Sequence, residues 1–154
     1  MKSIKRTFLV GLSAHEAFHK FIKELGEWWP REYSWSQDKL ESISIEARKD
    51  GLCTEIGPHG FRADWGRVIE IDVPQLIVFK WQISPQRVPE PDPSKSSEVS
   101  IKFEEVQSDS TRLLFEHRNF EKHGEDAEEY RQAMDSERGW DYILALFLKY
   151  AAQH

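Results

Sequence analysis

The chain has 154 residues, enough for one domain with a sizeable core and too few for a second. Hydrophobic residues make up 39% and aromatics 12%, including six tryptophans and nine phenylalanines, which excludes global disorder and requires large rings to fill a core or line a pocket. A formal net charge of −6 with no Lys/Arg block argues against electrostatic capture of nucleic acid.

Ile4 to Val10 is short, rich in β-branched and aromatic residues, and stops at Gly11, so it reads as a first strand. Its basic start precedes only a few apolar residues and no small-residue cleavage site, and no later run approaches the roughly 20 apolar residues of a membrane helix. Cys53 is the single cysteine, which excludes an intrachain disulfide and reads as a buried small hydrophobe. The expectation is a soluble cytoplasmic protein without membrane insertion.

Ser13-Ala14-His15-Glu16 is a capping box that opens a helix. Ala14, Ala17, Phe18, Phe21, Ile22 and Leu25 recur at helical spacing, and Gly26 is placed to terminate the helix. Trp28-Trp29-Pro30 follows, with Pro30 closing any further turn. From Glu41 the period becomes two. Ile43, Ile45 and Ala47 alternate with polar residues, and Asp50-Gly51 turns into a strand over 52–56. Strands over 61–72 and 76–83 complete a meander, and the four prolines between 84 and 97 make that stretch an exposed loop. A hairpin over 98–106 and 111–117 follows, then one long helix over about 126–150. Its apolar stripe is Trp140, Ile143, Leu144, Phe147 and Ala151. The order is strand, helix, six strands, long helix, without an internal repeat.

Several of these segments together resemble the SRPBCC (START/Bet v 1-like) superfamily, and within it the Hsp90 ATPase activator homologue 1-like group. They are Asp50-Gly51, the run from Asp64 to Ile71, Phe79-Lys80-Trp81, the run from Leu113 to Phe120, and the helix with Gly139-Trp140. The likeness extends from Ile4 to Tyr150. It implies an α+β helix-grip fold: a curved antiparallel sheet of about six to seven strands around a long C-terminal helix, with two short helices after strand 1. Many relatives bind lipids, sterols, polyketides or other hydrophobic molecules between sheet and helix, some are cyclases, and others are Hsp90 co-chaperone domains. A shared fold does not transfer a function, so the site must carry the argument.

Strand alternation places Ile77, Phe79, Trp81 and Ile83 on one face, then Val99, Ile101 and Phe103, then Leu113, Phe115 and His117, all turned toward the Trp140 stripe. In the strand over 64–72, Trp65, Arg67, Ile69 and Ile71 share one face and Gly66, Val68 and Glu70 the other, and alternation does not say which is inward. Trp28 and Trp29 either gate a cavity mouth or cap the core. The candidate pocket lining is Trp29, Trp65, Phe79, Trp81, Phe103, Phe115, His117, Trp140 and Phe147, for a small hydrophobic ligand. The competing reading is that these rings interdigitate into a dry core.

His117 reads either as a hydrogen-bonded core histidine or as a ligand-orienting or proton-moving group, for which only Glu70 or Arg67 offers a partner. His15 and His19 are four apart on a helix, but no cysteine pair or third ligand accompanies them, and His59, His123 and His154 add no metal spacing. No phosphate loop, nucleophile elbow or Cys/His signature occurs, so neither metal nor cofactor is expected and no catalytic residue is assigned. The acidic run from Glu121 to Glu129 reads as a solvated helix start rather than a docking face. Three functions stand in order: binding of a small hydrophobic molecule, an Hsp90-activator-like module with a chaperone-type partner, and a cyclase using His117. The second is weakened because a lone domain lacks the further N-terminal domain of eukaryotic Hsp90 activators. The oligomeric state is not legible.

Overall fold

The computed structural model describes residues 1–153; His154 lies outside them. Seven strands form one antiparallel sheet: β1 (Ile4–Val10), β2 (Ser42–Ile45), β3 (Leu52–Ile56), β4 (Arg62–Asp72), β5 (Leu76–Trp81), β6 (Ser97–Gln107) and β7 (Ser110–Arg118). Their spatial order is β1-β7-β6-β5-β4-β3-β2, so β2 to β7 is a meander and only β1 crosses, pairing with β7 from Ile4 opposite His117 to Val10 opposite Thr111. The sheet curves around a C-terminal helix, which is the helix-grip architecture.

β7 shows why the alternation of the sequence translates directly into burial. Thr111, Leu113, Phe115 and His117 are buried while the residues between them remain partly open. Ile77, Phe79 and Trp81 of β5 and Val99, Ile101 and Phe103 of β6 are likewise buried. β5 ends at Trp81, two residues before the expected end, and Ile83 instead makes an isolated bridge to Pro89.

β4 changes face along its length. Ala63 and Trp65 are buried, then Gly66 and Val68. The register shifts opposite Cys53 and Thr54 and again between Val68 and Glu70, so Trp65 and Ile69 are extra residues at bulges. Each bulge turns the following residues by one position, so a single alternating pattern has no fixed inward face. Gly66 sits at the first bulge, where a Cβ would lie 2.4 Å from the Lys80 carbonyl oxygen and 3.0 Å from Cys53 Sγ. Gly66→Ala is expected to lower stability by about 2 kcal/mol in a urea titration. A change below about 0.5 kcal/mol would show that the β4–β5 pair relaxes freely.

After β1, Ser13 caps α1 (Ala14–Phe18), with Glu16 N–H donating to Ser13 Oγ at 3.2 Å and Ser13 N–H donating to Glu16 Oε1 at 3.3 Å. The chain widens into a π-helical turn over His19–Lys23 and continues as α2 (Leu25–Trp28). Gly26 is therefore not a terminator. It lies inside α2, where a Cβ would meet the Ile43 carbonyl at 3.2 Å, so it serves close packing of α2 on β2. Pro30, two residues past α2, precedes the short 3-10 turn Arg31–Tyr33.

The expected single C-terminal helix is two helices, α3 (Ala127–Met134) and α4 (Trp140–Gln153). The break has local causes. Ser136 Oγ donates to the Ala133 carbonyl at 2.6 Å, and Arg6 of β1 holds both sides, with Nη2 on Asp135 Oδ1 at 2.8 Å and Nε on Asp141 Oδ1 at 2.7 Å. Gly139 completes the turn where a Cβ would lie 2.2 Å from the Met134 carbonyl oxygen, a place open only to glycine. The stripe Trp140, Ile143, Leu144, Phe147 and Ala151 of α4 is buried against the sheet.

Candidate functional site

A cavity of about 600 Å³ opens where the helix break, the segment after α2 and the β5–β6 loop meet the concave sheet. This volume falls within the ordinary range for small-molecule sites. Four indoles line it, Trp29, Trp35, Trp65 and Trp81, together with Ile43, Ile83, Tyr130, Met134 and Ile143. Polar groups are few: Tyr33, Ser34, Glu55, Arg87, Ser136 and Arg138. Tyr33, Arg87, Ser136 and Arg138 are exposed and form the rim, whereas Glu55 and Trp65 are buried.

The walls are fixed by a small set of hydrogen bonds. Trp81 Nε1 donates to Tyr130 Oη at 2.8 Å, and Tyr130 Oη donates to the Ile83 carbonyl at 2.9 Å, joining the sheet, α3 and the loop. Burial pushes the Tyr130 phenol up to about 12, so it remains a donor. Across the mouth, Trp35 Nε1 donates to the Arg87 carbonyl at 2.7 Å and Tyr33 Oη to the Arg138 carbonyl at 2.7 Å. The Arg87 guanidinium lies 4.7 Å from the Tyr130 ring centre. Glu55 takes N–H bonds from Trp35 at 3.2 Å and Ser36 at 2.8 Å. Trp65 Nε1 is buried with no hydrogen-bond partner among the described residues.

Of the nine residues expected to line a pocket, Trp29, Trp65 and Trp81 do so. Phe79, Phe103, Phe115, His117, Trp140 and Phe147 are absent from the lining and belong to the packed core. Phe147, for example, packs tilted against Phe21 with ring centres 4.6 Å apart, and Phe115 likewise against Trp140 at 4.5 Å. Of the tryptophan pair after α1, Trp29 lines the cavity, while Trp28 is buried in the core with Nε1 on the Lys20 carbonyl. Trp35, Glu55, Arg87 and Tyr130 were not singled out from the sequence. Trp35 and Arg87 come from loops and Tyr130 from α3, whose docking on the sheet no periodicity reveals, whereas Glu55, on the inward face of β3, is a readable signal.

His117 is fully buried in a directed chain of hydrogen bonds. Trp140 Nε1 donates to Nδ1 at 3.0 Å, which fixes Nε2 as the protonated nitrogen, 2.7 Å from Ser97 Oγ. Ser97 Oγ in turn lies 2.7 Å from Nε2 of His123, and Ser97 N–H also points at that nitrogen at 3.3 Å. Both imidazoles are therefore neutral. Burial, and then the neighbouring His123 whenever it takes up a proton, hold His117 well below the usual imidazole range, and burial brings His123 down to about 4 against the opposing pull of Glu90. The grouping of His117 with Glu70 or Arg67 is not assembled, because both of those side chains are exposed, on the far side of β4 from the core. Nor do His15 and His19 gather further ligands: no group of three or more metal-binding side chains occurs among the described residues, and His19 instead contacts Glu24 at 3.0 Å. Cys53 is buried, with its thiol pushed up by burial and by Asp64. No helix among the described residues is long and apolar enough to cross a membrane.

A curved seven-strand sheet gripping a C-terminal helix, with a cavity between them, is the helix-grip fold of the SRPBCC, Bet v 1-like class. The family described as Activator of Hsp90 ATPase homolog 1-like protein matches residues 22–152, and the chain belongs to it. Among solved structures the chain is similar to an anthrahydroquino-γ-pyrone synthase, with 24% identity, a TM-score of 0.69 and coverage of 97% of this chain and 96% of that one. It is similar to CalC, a self-sacrificing resistance protein from Micromonospora echinospora, with 24% identity, a TM-score of 0.69 and coverage of 98% and 94%. An Hsp90 activator from Plasmodium falciparum aligns at 20% identity and a TM-score of 0.50, over 77% of this chain and 74% of that one. Likeness at these identities establishes the fold alone. No curated protein matches the chain significantly.

Proposed function

We propose that this protein binds a small, flat, largely apolar molecule in the 600 Å³ cavity. The observation that carries the reading is the lining itself: four indoles and a handful of aliphatic and phenolic groups around very few polar atoms. Apolar area removed from water would supply most of the affinity. Trp65 Nε1, a buried donor without an acceptor, is available to a carbonyl or ring nitrogen of the ligand. A lipid, a sterol or a polyketide-like aromatic satisfies the apolar requirement, and the flat aromatic best matches indole walls.

Intrinsic tryptophan fluorescence tests this directly, because four of the six indoles line the cavity. Titration with polycyclic aromatics is expected to give saturable quenching. Ala133 lines the cavity yet is open to solvent, so Ala133→Trp brings an indole into part of the space with little strain on the core. That variant is expected to weaken binding at least about tenfold while keeping its melting temperature within a few degrees. Equal affinity for wild type and Ala133→Trp would exclude the cavity as the binding site.

The family's description supports a second reading, a surface-acting module with a chaperone-type partner. The same variant separates the two, since stimulation of an Hsp90 ATPase through the surface would survive a partly filled cavity.

A further inference from the structure

The cavity is not neutral in depth, and its polarity selects among the flat aromatics it would hold. Glu55, at 1% exposure, is the buried charged side chain of the lining. Its two oxygens each accept one backbone N–H, from Trp35 and Ser36. Among the described residues no Lys, Arg or His nitrogen lies within 4.0 Å of it. A carboxylate has about four lone-pair sites, so about two are not taken by these N–H groups, in a residue that borders the cavity. Burying such a group without a cation is costly, and the cost falls when a cationic donor enters.

The cations of the lining do not meet this need. Arg87 and Arg138 are exposed at the rim, and Arg87 is held over Tyr130 with Nη1 3.5 Å from Met134 Sδ. At the rim their field is screened by solvent and salt, whereas the field of Glu55 acts inside a water-poor space. Indole walls add to it, because tryptophan is the ring that best attracts an organic cation.

We infer that the cavity selects aromatic amines, seating a flat ring among Trp29, Trp65 and Trp81 and placing a protonated amine on the Glu55 carboxylate. This rests on the cavity-binding reading above and narrows it. The competing role for Glu55 is purely structural, tying the 34–36 segment to β3 through its two N–H bonds.

Calorimetry with two matched probes, 2-(1-naphthyl)ethylamine and 2-(1-naphthyl)ethanol, separates these roles at neutral pH. The wild-type protein is expected to bind the amine about tenfold or more tighter than the alcohol, the advantage of a charge-assisted bond over a neutral one. In Glu55→Gln the ratio of the two affinities is expected to fall to about one. Equal affinities in the wild type, or a Glu55→Gln variant weakened equally for both probes, would overturn the amine proposal and leave the cavity reading intact. Binding of neither probe would overturn both. Where Glu55→Gln fails to fold, the wild-type ratio of the two affinities decides by itself.

Discussion

Replacing Trp140 by alanine is expected to lower the free energy of unfolding by about 5 kcal/mol, the largest single-residue effect in this chain. Trp140 opens α4, is 2% exposed, and packs on Phe115 at 4.5 Å, Trp81 at 5.4 Å and His117 at 5.8 Å. Truncation removes that packing and leaves a void which the rigid sheet cannot close, worth about 3–5 kcal/mol for a tryptophan. It also strips His117 Nδ1 of its donor, leaving a fully buried acceptor unpaired for about a further 1–3 kcal/mol. Trp140→Phe separates the two losses. It retains most of the ring contacts but not the N–H, and is expected to cost about 2 kcal/mol. Urea unfolding followed by far-ultraviolet circular dichroism measures both without relying on the altered fluorophore. A Trp140→Ala loss below about 2 kcal/mol would mean that α4 is not anchored through this residue.

The same residue shows how far the sequence could be read. Period-two runs in β5, β6 and β7 point Phe79, Phe103 and Phe115 inward because the same-face residues around each of them, 77–81, 97–103 and 111–117, are buried. The capping box at Ser13 was equally legible, since its chemistry is local. β4 was not, because two bulges reset its inward face and a bulge leaves no compositional trace beyond Gly66. The helix break at 135–139 is not legible in the sequence for a related reason. Ser136 and Gly139 are mild signals in a helical pattern, and the clamp that makes them decisive is Arg6, more than a hundred residues away in β1.

The break bears on the site as well as on the fold. It sets Met134, Ser136 and Gly139 beside the cavity, while Phe115, His117 and Trp140 are buried away from it. The site residues supplied by turns, Trp35 and Arg87 above all, carry meaning only once Trp35 Nε1 meets the Arg87 carbonyl. Long-range docking of loops is information that a single sequence's periodicity does not hold.

Mild acid is expected to destabilise the fold by roughly 3 kcal/mol between pH 7 and pH 5, before most carboxylates titrate. The cause is the chain that Trp140 starts. Its direction leaves no site for an added proton on His117, since Nδ1 already accepts from Trp140 and Nε2 is committed to Ser97. Both imidazoles are held below the usual range, His117 well below it by burial and by His123, and His123 at about 4 by burial. The unfolded chain takes up protons on these residues near pH 6.5 while the folded chain does not, so the unfolded state binds more protons and stability rises with pH. Stability from this source is therefore complete above about pH 6.5 and falls as the pH drops toward the folded values. Each histidine contributes at most about 1.4 kcal/mol per pH unit, and solvent reaching the partly exposed His123 reduces its share. The urea midpoint is expected to fall steadily over this window, and His123→Asn to flatten the slope partially because His117 remains. A midpoint constant from pH 7 to pH 5 would show that the buried pair accepts protons in the folded state, and so that the donor order from Trp140 to His123 is not the one that holds the core.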